Sequence, residues 1–166
     1  PICVEWLRKC GGVLEHPAHS RLFDACKLPK PGLATRGELW TAEVLQANRK
    51  LLDSINAQNW NAYAELCDPS LTCFEPEALG HVVQGMDFHH FYFKLEGSSR
   101  PKQSIMASPH VRVIGDTAIV SYIRLTQRVE ATGDPKTYAS EETRVWQKQN
   151  GVWKHVHFHR SIPTAN

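Results

Sequence analysis

Beyond Pro101 the chain is cut by turn signals into four strand-length runs, and this spacing leaves few folds open. The runs cover residues 104–113, 117–129, 138–148 and 152–162, and the breaks fall at Gly115-Asp116, residues 131–135 and Asn150-Gly151. Asn-Gly is the strongest of these breaks, because a two-residue hairpin needs positive φ at both positions. Four such runs in succession predict an antiparallel meander. The sequence before them keeps a different period. From Gly37 onward, Trp40, Val44, Ala47, Leu51 and Ile55 recur every three or four positions, the apolar stripe of one long amphipathic helix. Residues 56–59 interrupt it. Residues 60–67 read as a second, shorter helix stopped at Asp68-Pro69, since the residue before proline is pushed out of the helical region. Residues 71–75 read as a short strand and 76–85 as a connection. Phe88, Phe91 and Tyr92 keep helical spacing within a third helix over 86–95. Helices followed by hairpins predict an α+β domain, with the long N-terminal helix packed on one face of a strongly curved antiparallel sheet. Such a cone leaves a pocket between helix and sheet.

A chain of 166 residues with 42% hydrophobic side chains is the size of one domain with one core. That domain is expected over residues 36–166. Residues 1–35 read as a tail or linker, because Gly11-Gly12, Pro17 and the run Lys27-Leu28-Pro29-Lys30-Pro31-Gly32 break any long element. Nineteen basic and seventeen acidic residues are interspersed for a net charge of +2, so the chain has none of the basic striping that nucleic acid demands. It has neither an apolar run of membrane-spanning length nor the blocks of a signal peptide, so a cytoplasmic protein with no membrane partner is expected. The five cysteines are odd in number and form no CxxC pair, which favours reduced thiols.

Three arginines stand at comparable places in consecutive strands: Arg124, Arg144 and Arg160. By alternation Arg124 shares a face with Val120 and Tyr122, and Arg160 shares one with Val156 and Phe158. A guanidinium on an apolar inner face requires a carboxylate or an anionic ligand, because an unpaired buried charge is costly. Glu75, Glu77 and Glu142 are the candidate internal partners. Arg144 fits the pattern least well, since its face also carries Glu142 and Lys148. His155, His157 and His159 occupy alternate positions and would point to one side of the last strand. That face also carries Trp153 and lacks a completing carboxylate, so structural histidines are expected and no metal or cofactor. The chain contains no GxGxxG, P-loop, GxSxG, HRD or DFG motif, and it is expected not to be an enzyme. The alternatives are a small-molecule enzyme of the same cone fold, with Asp87 and His89, or Glu75 and Tyr63, as an acid–base pair, or an anionic-ligand-binding protein of that fold.

Several longer motifs resemble the association (hub) domain of calcium/calmodulin-dependent protein kinase type II. They are Leu66-Cys67-Asp68-Pro69, Phe74-Glu75-Pro76-Glu77-Ala78-Leu79-Gly80 and Gly85-Met86-Asp87-Phe88-His89-His90-Phe91-Tyr92-Phe93. They continue with Tyr122-Ile123-Arg124-Leu125-Thr126-Gln127, Ser140-Glu141-Glu142-Thr143-Arg144-Val145-Trp146 and Val156-His157-Phe158-His159-Arg160-Ser161. The likeness covers roughly residues 38–161; residues 94–100 lack the tryptophan-bearing loop of the family, and residues 1–35 match nothing in it. The resemblance implies a fold of the nuclear-transport-factor-like or ketosteroid-isomerase-like type. It further implies self-assembly into two stacked rings of twelve or fourteen copies, which gather kinase domains for phosphorylation of one another where a kinase is attached. The family's pocket residues map onto Tyr63, Glu75, His89, Arg124, Arg144 and Arg160. They imply a binding site for a small carboxylate, or for a kinase or regulatory segment in cis or in trans, with no catalytic residue.

Overall fold

The computed structural model describes residues 34–97 and 100–163, so the tail expected over residues 1–35 lies almost wholly outside the described residues. The first helix, α1 (Arg36–Asn56), opens on a capping box: the Thr35 hydroxyl accepts from the Glu38 backbone N–H, and the Glu38 carboxylate accepts from the Thr35 N–H at 2.7 Å. Its predicted stripe is turned inward. Val44 and Leu51 are buried, and Trp40, Ala47 and Ile55 pack at the margin. Asn48 is also fully buried on this face, and its Oδ1 accepts from the Trp146 indole at 3.3 Å, fastening the helix to the sheet.

Helix α2 (Trp60–Leu66) is capped by the Asn59 side chain and passes directly into β1 (Cys67–Phe74). A single 3-10 turn (Pro76–Ala78), the two-residue strand β2 (Val83–Gln84) and α3 (Asp87–Lys94) lead to the meander. Its strands are β3 (Lys102–Ile114), β4 (Thr117–Val129), β5 (Pro135–Gln149) and β6 (Val152–Ser161). The Asn150-Gly151 hairpin takes positive φ at both residues (51° and 83°), as its sequence requires.

The sheet runs β2-β1-β6-β5-β4-β3. One pairing departs from the all-antiparallel expectation: β1 lies parallel to β6. These two strands are separated by the entire meander, so no hairpin dictates their relative direction, and β2 then folds back antiparallel on β1. β3 and β4 slip register between Ala107 and His110, where Ser108 adopts φ 49°. β5 and β6 slip at Val145/Trp146. Such bulges bend strands and supply the curvature of the cone.

The core fills the concave side. Val44, Leu51 and Leu52 meet Leu71 and Cys73 of β1, Val120 and Tyr122 of β4, Trp146 of β5, and Trp153 and Phe158 of β6. The opposite face of the sheet carries Ile105 beside Leu125 and Ile119 beside Val145, with Ile123 between them. Ile105 is 41% exposed and the other four are half-buried.

Candidate functional site

All six residues expected at the pocket come together. Tyr63 from α2, Glu75 at the end of β1, His89 from α3, Arg124 from β4, Arg144 from β5 and Arg160 from β6 line one cavity of about 220 Å³, with Ile55, Phe93 and Phe158 among its apolar walls. The register explains how. Tyr122, Glu142 and Arg160 form one rank across β4, β5 and β6, and Val120, Arg144 and Phe158 form the next. Side chains in a rank share a face, so the guanidiniums converge on the concave side although they are staggered along their strands.

Arg144, the weakest of the three by periodicity, is the most deeply placed. Its inward-facing neighbour Glu142, which seemed to argue against it, is its counter-ion. Arg144 Nη2 donates to Glu142 Oε2 at 2.9 Å and Nε donates at 3.1 Å, with side-chain exposures of 2% and 0%. The same Nε lies 2.9 Å from the Tyr122 hydroxyl, which itself donates a short hydrogen bond to Glu142 Oε2. Nη1 lies 3.3 Å from His155 Nε2, and the guanidinium stacks 4.6 Å from the Phe158 ring centroid. Burial pushes the Glu142 carboxyl up, but Arg144 and Arg124, with the Tyr122 hydrogen bond, outweigh it and hold it below the usual carboxylate range. The Glu142 Oε1 atom is buried without a hydrogen-bond donor, 3.6 Å from Arg124 Nη1.

Arg124 and Arg160 are held more lightly. Arg124 donates from Nε to Ser104 Oγ at 3.0 Å, and Arg160 donates from Nη2 to Glu75 at 3.3 Å and to Glu77. All three carboxylates named from sequence are therefore used, and three arginines stand against three glutamates. Burial raises the Glu75 carboxyl against the pull of Arg160, and the neighbouring Glu77 raises it further. His89 lies 3.7 Å from Glu75, and burial followed by the Arg144 charge pushes its imidazole down to about 4, so it is neutral near pH 7.

Two sequence expectations are corrected. The three alternate histidines of β6 do not share a side, because the extra residue at Val156 switches faces between Trp146↔His155 and Val145↔His157. His155 is fully buried, whereas His157 bonds Thr72 Oγ1 at 2.8 Å and, with His159, packs near the ring of the exposed Phe74. For the same reason Arg160 keeps company with Phe158 but not with Val156. The Asp87–His89 acid–base pair also fails to form. Residues two apart on a helix point to different sides, so Asp87 is exposed while His89 is buried. Phe158 is a pocket residue that the sequence reading placed only on a strand face, and Tyr122 supports the pocket through Arg144 and Glu142. Cys73, buried beside Glu75 and His89, was missed, though its alternation with Leu71 marks it as inward-facing.

Comparison with known proteins fits this construction. The rabbit (Oryctolagus cuniculus) calcium/calmodulin-dependent protein kinase type II subunit delta is 51% identical over 122 residues, covering 72% of this chain and 23% of that protein. This chain therefore spans less than a quarter of that relative. The solved CamKII hub homology domain of Chlamydamonas reinhardtii is 53% identical with a TM-score of 0.72, covering 75% of this chain and 99% of that one. A nuclear transport factor 2 (NTF2-like) superfamily protein from Salmonella enterica serovar Typhimurium shares the fold alone, at 21% identity and a TM-score of 0.64 over 78% of this chain and 95% of that one. The family model described as calcium/calmodulin dependent protein kinase II association domain matches residues 40–164. A match of that extent, on a cone carrying every expected pocket residue, places this chain in the calcium/calmodulin-dependent protein kinase II association-domain family.

Proposed function

We propose that this chain is a non-catalytic hub that assembles with copies of itself into two stacked rings in the cytoplasm, organising kinase domains for phosphorylation of one another where a kinase is attached. The observation that carries the reading is the convex face of the sheet. Ile105, Ile119, Ile123, Leu125 and Val145 make an apolar stripe across β3, β4 and β5, broken by the Ser121–Thr143 pair, on the side away from the core. A second copy of the same chain is the occupant this stripe fits, because membership of an association-domain family supplies the partner and closed rings bury such faces. Tethering kinase domains to such a ring makes their encounter effectively intramolecular. The arginine pocket serves the hub as a binding site for a small carboxylate or an acidic kinase or regulatory segment. Tyr63, Glu75, His89, Arg124, Arg144 and Arg160 line it, and the guanidinium forks of Arg124 and Arg160 face the ligand. Among the described residues no helix is long and apolar enough to cross a membrane.

The test is native mass at low micromolar concentration, by light scattering on a sizing column and by native mass spectrometry. A particle of ten or more copies is expected. A monomer or simple dimer overturns the hub.

A further inference from the structure

One cluster of chemically active side chains lies beside the arginine network and shares only Glu75 with it. Cys73 on β1 is fully buried, and its Sγ lies 3.8 Å from Glu75 Oε1 and 3.7 Å from His89 Nε2. His89 Nδ1 lies 3.7 Å from the same Glu75 oxygen. One donor atom from each of the three residues sits within 4.8 Å of the other two. Zinc bonds of about 2.0–2.3 Å put tetrahedral donors roughly 3.3–3.8 Å apart; His89 meets that spacing through Nε2 toward Cys73 and through Nδ1 toward Glu75, so binding through one nitrogen needs a small shift of the ring or of the Glu75 carboxylate.

We infer that Cys73, Glu75 and His89 form a three-ligand zinc site in the wall of the pocket. A thiolate, an imidazole and a carboxylate are the donor types zinc prefers, and three protein ligands leave a fourth position open. Glu75 and His89 line the cavity, so the ion is reached from it. Arg160 and Arg144, the arginines that face these side chains, do not veto a cation, because each already has a carboxylate partner. Arg160 engages Glu75 through the other carboxylate oxygen, Oε2, and shares its charge with Glu77, and Arg144 is held by Glu142. An outer hydrogen bond of the Arg160 type is what orients a ligating carboxylate. The binding step balances simply: the Cys73 S–H bond breaks, its proton leaves to solvent, and the sulfur lone pair forms the bond to Zn²⁺. The second buried cysteine, Cys67, lies 3.8 Å from His155 but the pair forms no such set, because His155 Nε2 faces Arg144.

The experiment uses the whole chain with Cys3, Cys10 and Cys26 replaced by alanine, so that any thiol signal comes from Cys67 or Cys73. Zinc affinity is read by competition with a chromophoric chelator, and cobalt substitution reports a thiolate ligand through its sulfur-to-metal absorption. The parent binds zinc and shows the thiolate band. Cys73→Ala abolishes the band and weakens zinc at least about 10-fold. Glu75→Gln weakens zinc but keeps the band, and Cys67→Ala changes neither. The site is overturned if the parent binds no zinc, or if the band survives Cys73→Ala. Should Cys73→Ala lose its near-ultraviolet circular dichroism, Glu75→Gln decides alone: unchanged zinc affinity there overturns the site as well. The native mass of the parent is recorded in parallel, so a failed zinc site and a failed hub are told apart.

Discussion

Replacing Glu142 by glutamine isolates the electrostatic keystone of the pocket. The substitution keeps the shape and one carbonyl acceptor but removes the charge that neutralises a guanidinium of 2% exposure. Glu142 Oε2 receives both Arg144 nitrogens and the Tyr122 hydroxyl, and Arg124 stands 3.6 Å from the other oxygen. Breaking a buried pair from one side costs 3–5 kcal/mol in general, because the remaining charge stays buried without a partner. The retained carbonyl puts Glu142→Gln near the lower end, about 3 kcal/mol. That is roughly two orders of magnitude in the unfolding equilibrium and on the order of 10 °C in Tm. Urea unfolding followed by tryptophan fluorescence measures it, at one fixed protein concentration because self-association adds to apparent stability. The double variant Glu142→Gln/Arg144→Met removes both charges and is expected to recover at least half of the loss. A loss under about 1 kcal/mol with an unchanged urea slope would refute the reasoning, as would a double variant weaker than Glu142→Gln alone.

Three other outcomes are expected. His155 is fully buried against Arg144 of β5, Cys67 of β1 and the rings of Trp146 and Phe158, with the imidazoles of His89 and His157 nearby; burial, then Arg144, holds its imidazole well below the ordinary value of 6.5. A depressed folded-state value means stability that is present above about pH 6.5 and lost as the pH falls below it. The urea midpoint of the wild type should therefore drop more steeply between pH 7 and 5 than that of His155→Gln, by up to about 1.4 kcal/mol per pH unit; parallel curves refute the assignment. Ile123→Asp puts a charge into the convex apolar stripe at no cost to the core, and should reduce the native mass while leaving the circular dichroism spectrum intact; an unchanged particle mass removes that stripe from the assembly. Arg160→Ala should weaken binding of a small carboxylate about 10-fold or more, read by calorimetry, with the urea midpoint shifted far less than in Arg144→Ala; equal destabilisation by the two substitutions makes Arg160 a structural residue.

The legible parts of this fold were those with a local cause. The α1 stripe, the Asn150-Gly151 turn and the bounds of β4 follow from residues within a few positions of one another, and the structure has them where the pattern put them. What could not be read is set by contacts distant in sequence. The parallel pairing of β1 with β6 joins residues more than eighty positions apart, and no turn between them fixes its direction. The bulge at Val156 is a single extra residue whose only trace is the register of the neighbouring strand, yet it reassigns His155, His157 and His159 to different sides. Strict alternation also misjudged Arg144. The charged neighbours that made its face look solvated, Glu142 and Lys148, are both bound inward, Glu142 by Arg144 itself and Lys148 by Glu43 at 2.7 Å over the rings of Trp40 and Trp153.

That misjudgement bears on how the pocket works. Three arginines from three strands read from sequence as one anion-binding cluster, but their hydrogen bonds divide them. Arg144 has Nε, Nη1 and Nη2 all engaged by Glu142, Tyr122 and His155, under the Phe158 ring, which leaves it little to offer a ligand. Arg124 uses Nε on Ser104 and meets only the donorless Oε1 of Glu142 across 3.6 Å, and Arg160 spends one nitrogen on Glu75 and Glu77. A guanidinium carries five N–H donors, so Arg124 and Arg160 retain free edges toward the cavity. A carboxylate entering there meets a site whose three positive charges are already offset by three glutamates. It gains a two-pronged hold that includes Arg160 Nη2 only by competing with Glu75 and Glu77. Glu75, whose carboxyl burial has already raised, gives way at less cost than Glu77, which Arg160 holds below the ordinary range. For the carboxylate ligand proposed above, affinity would thus be governed as much by the acids that occupy the arginines as by the arginines themselves.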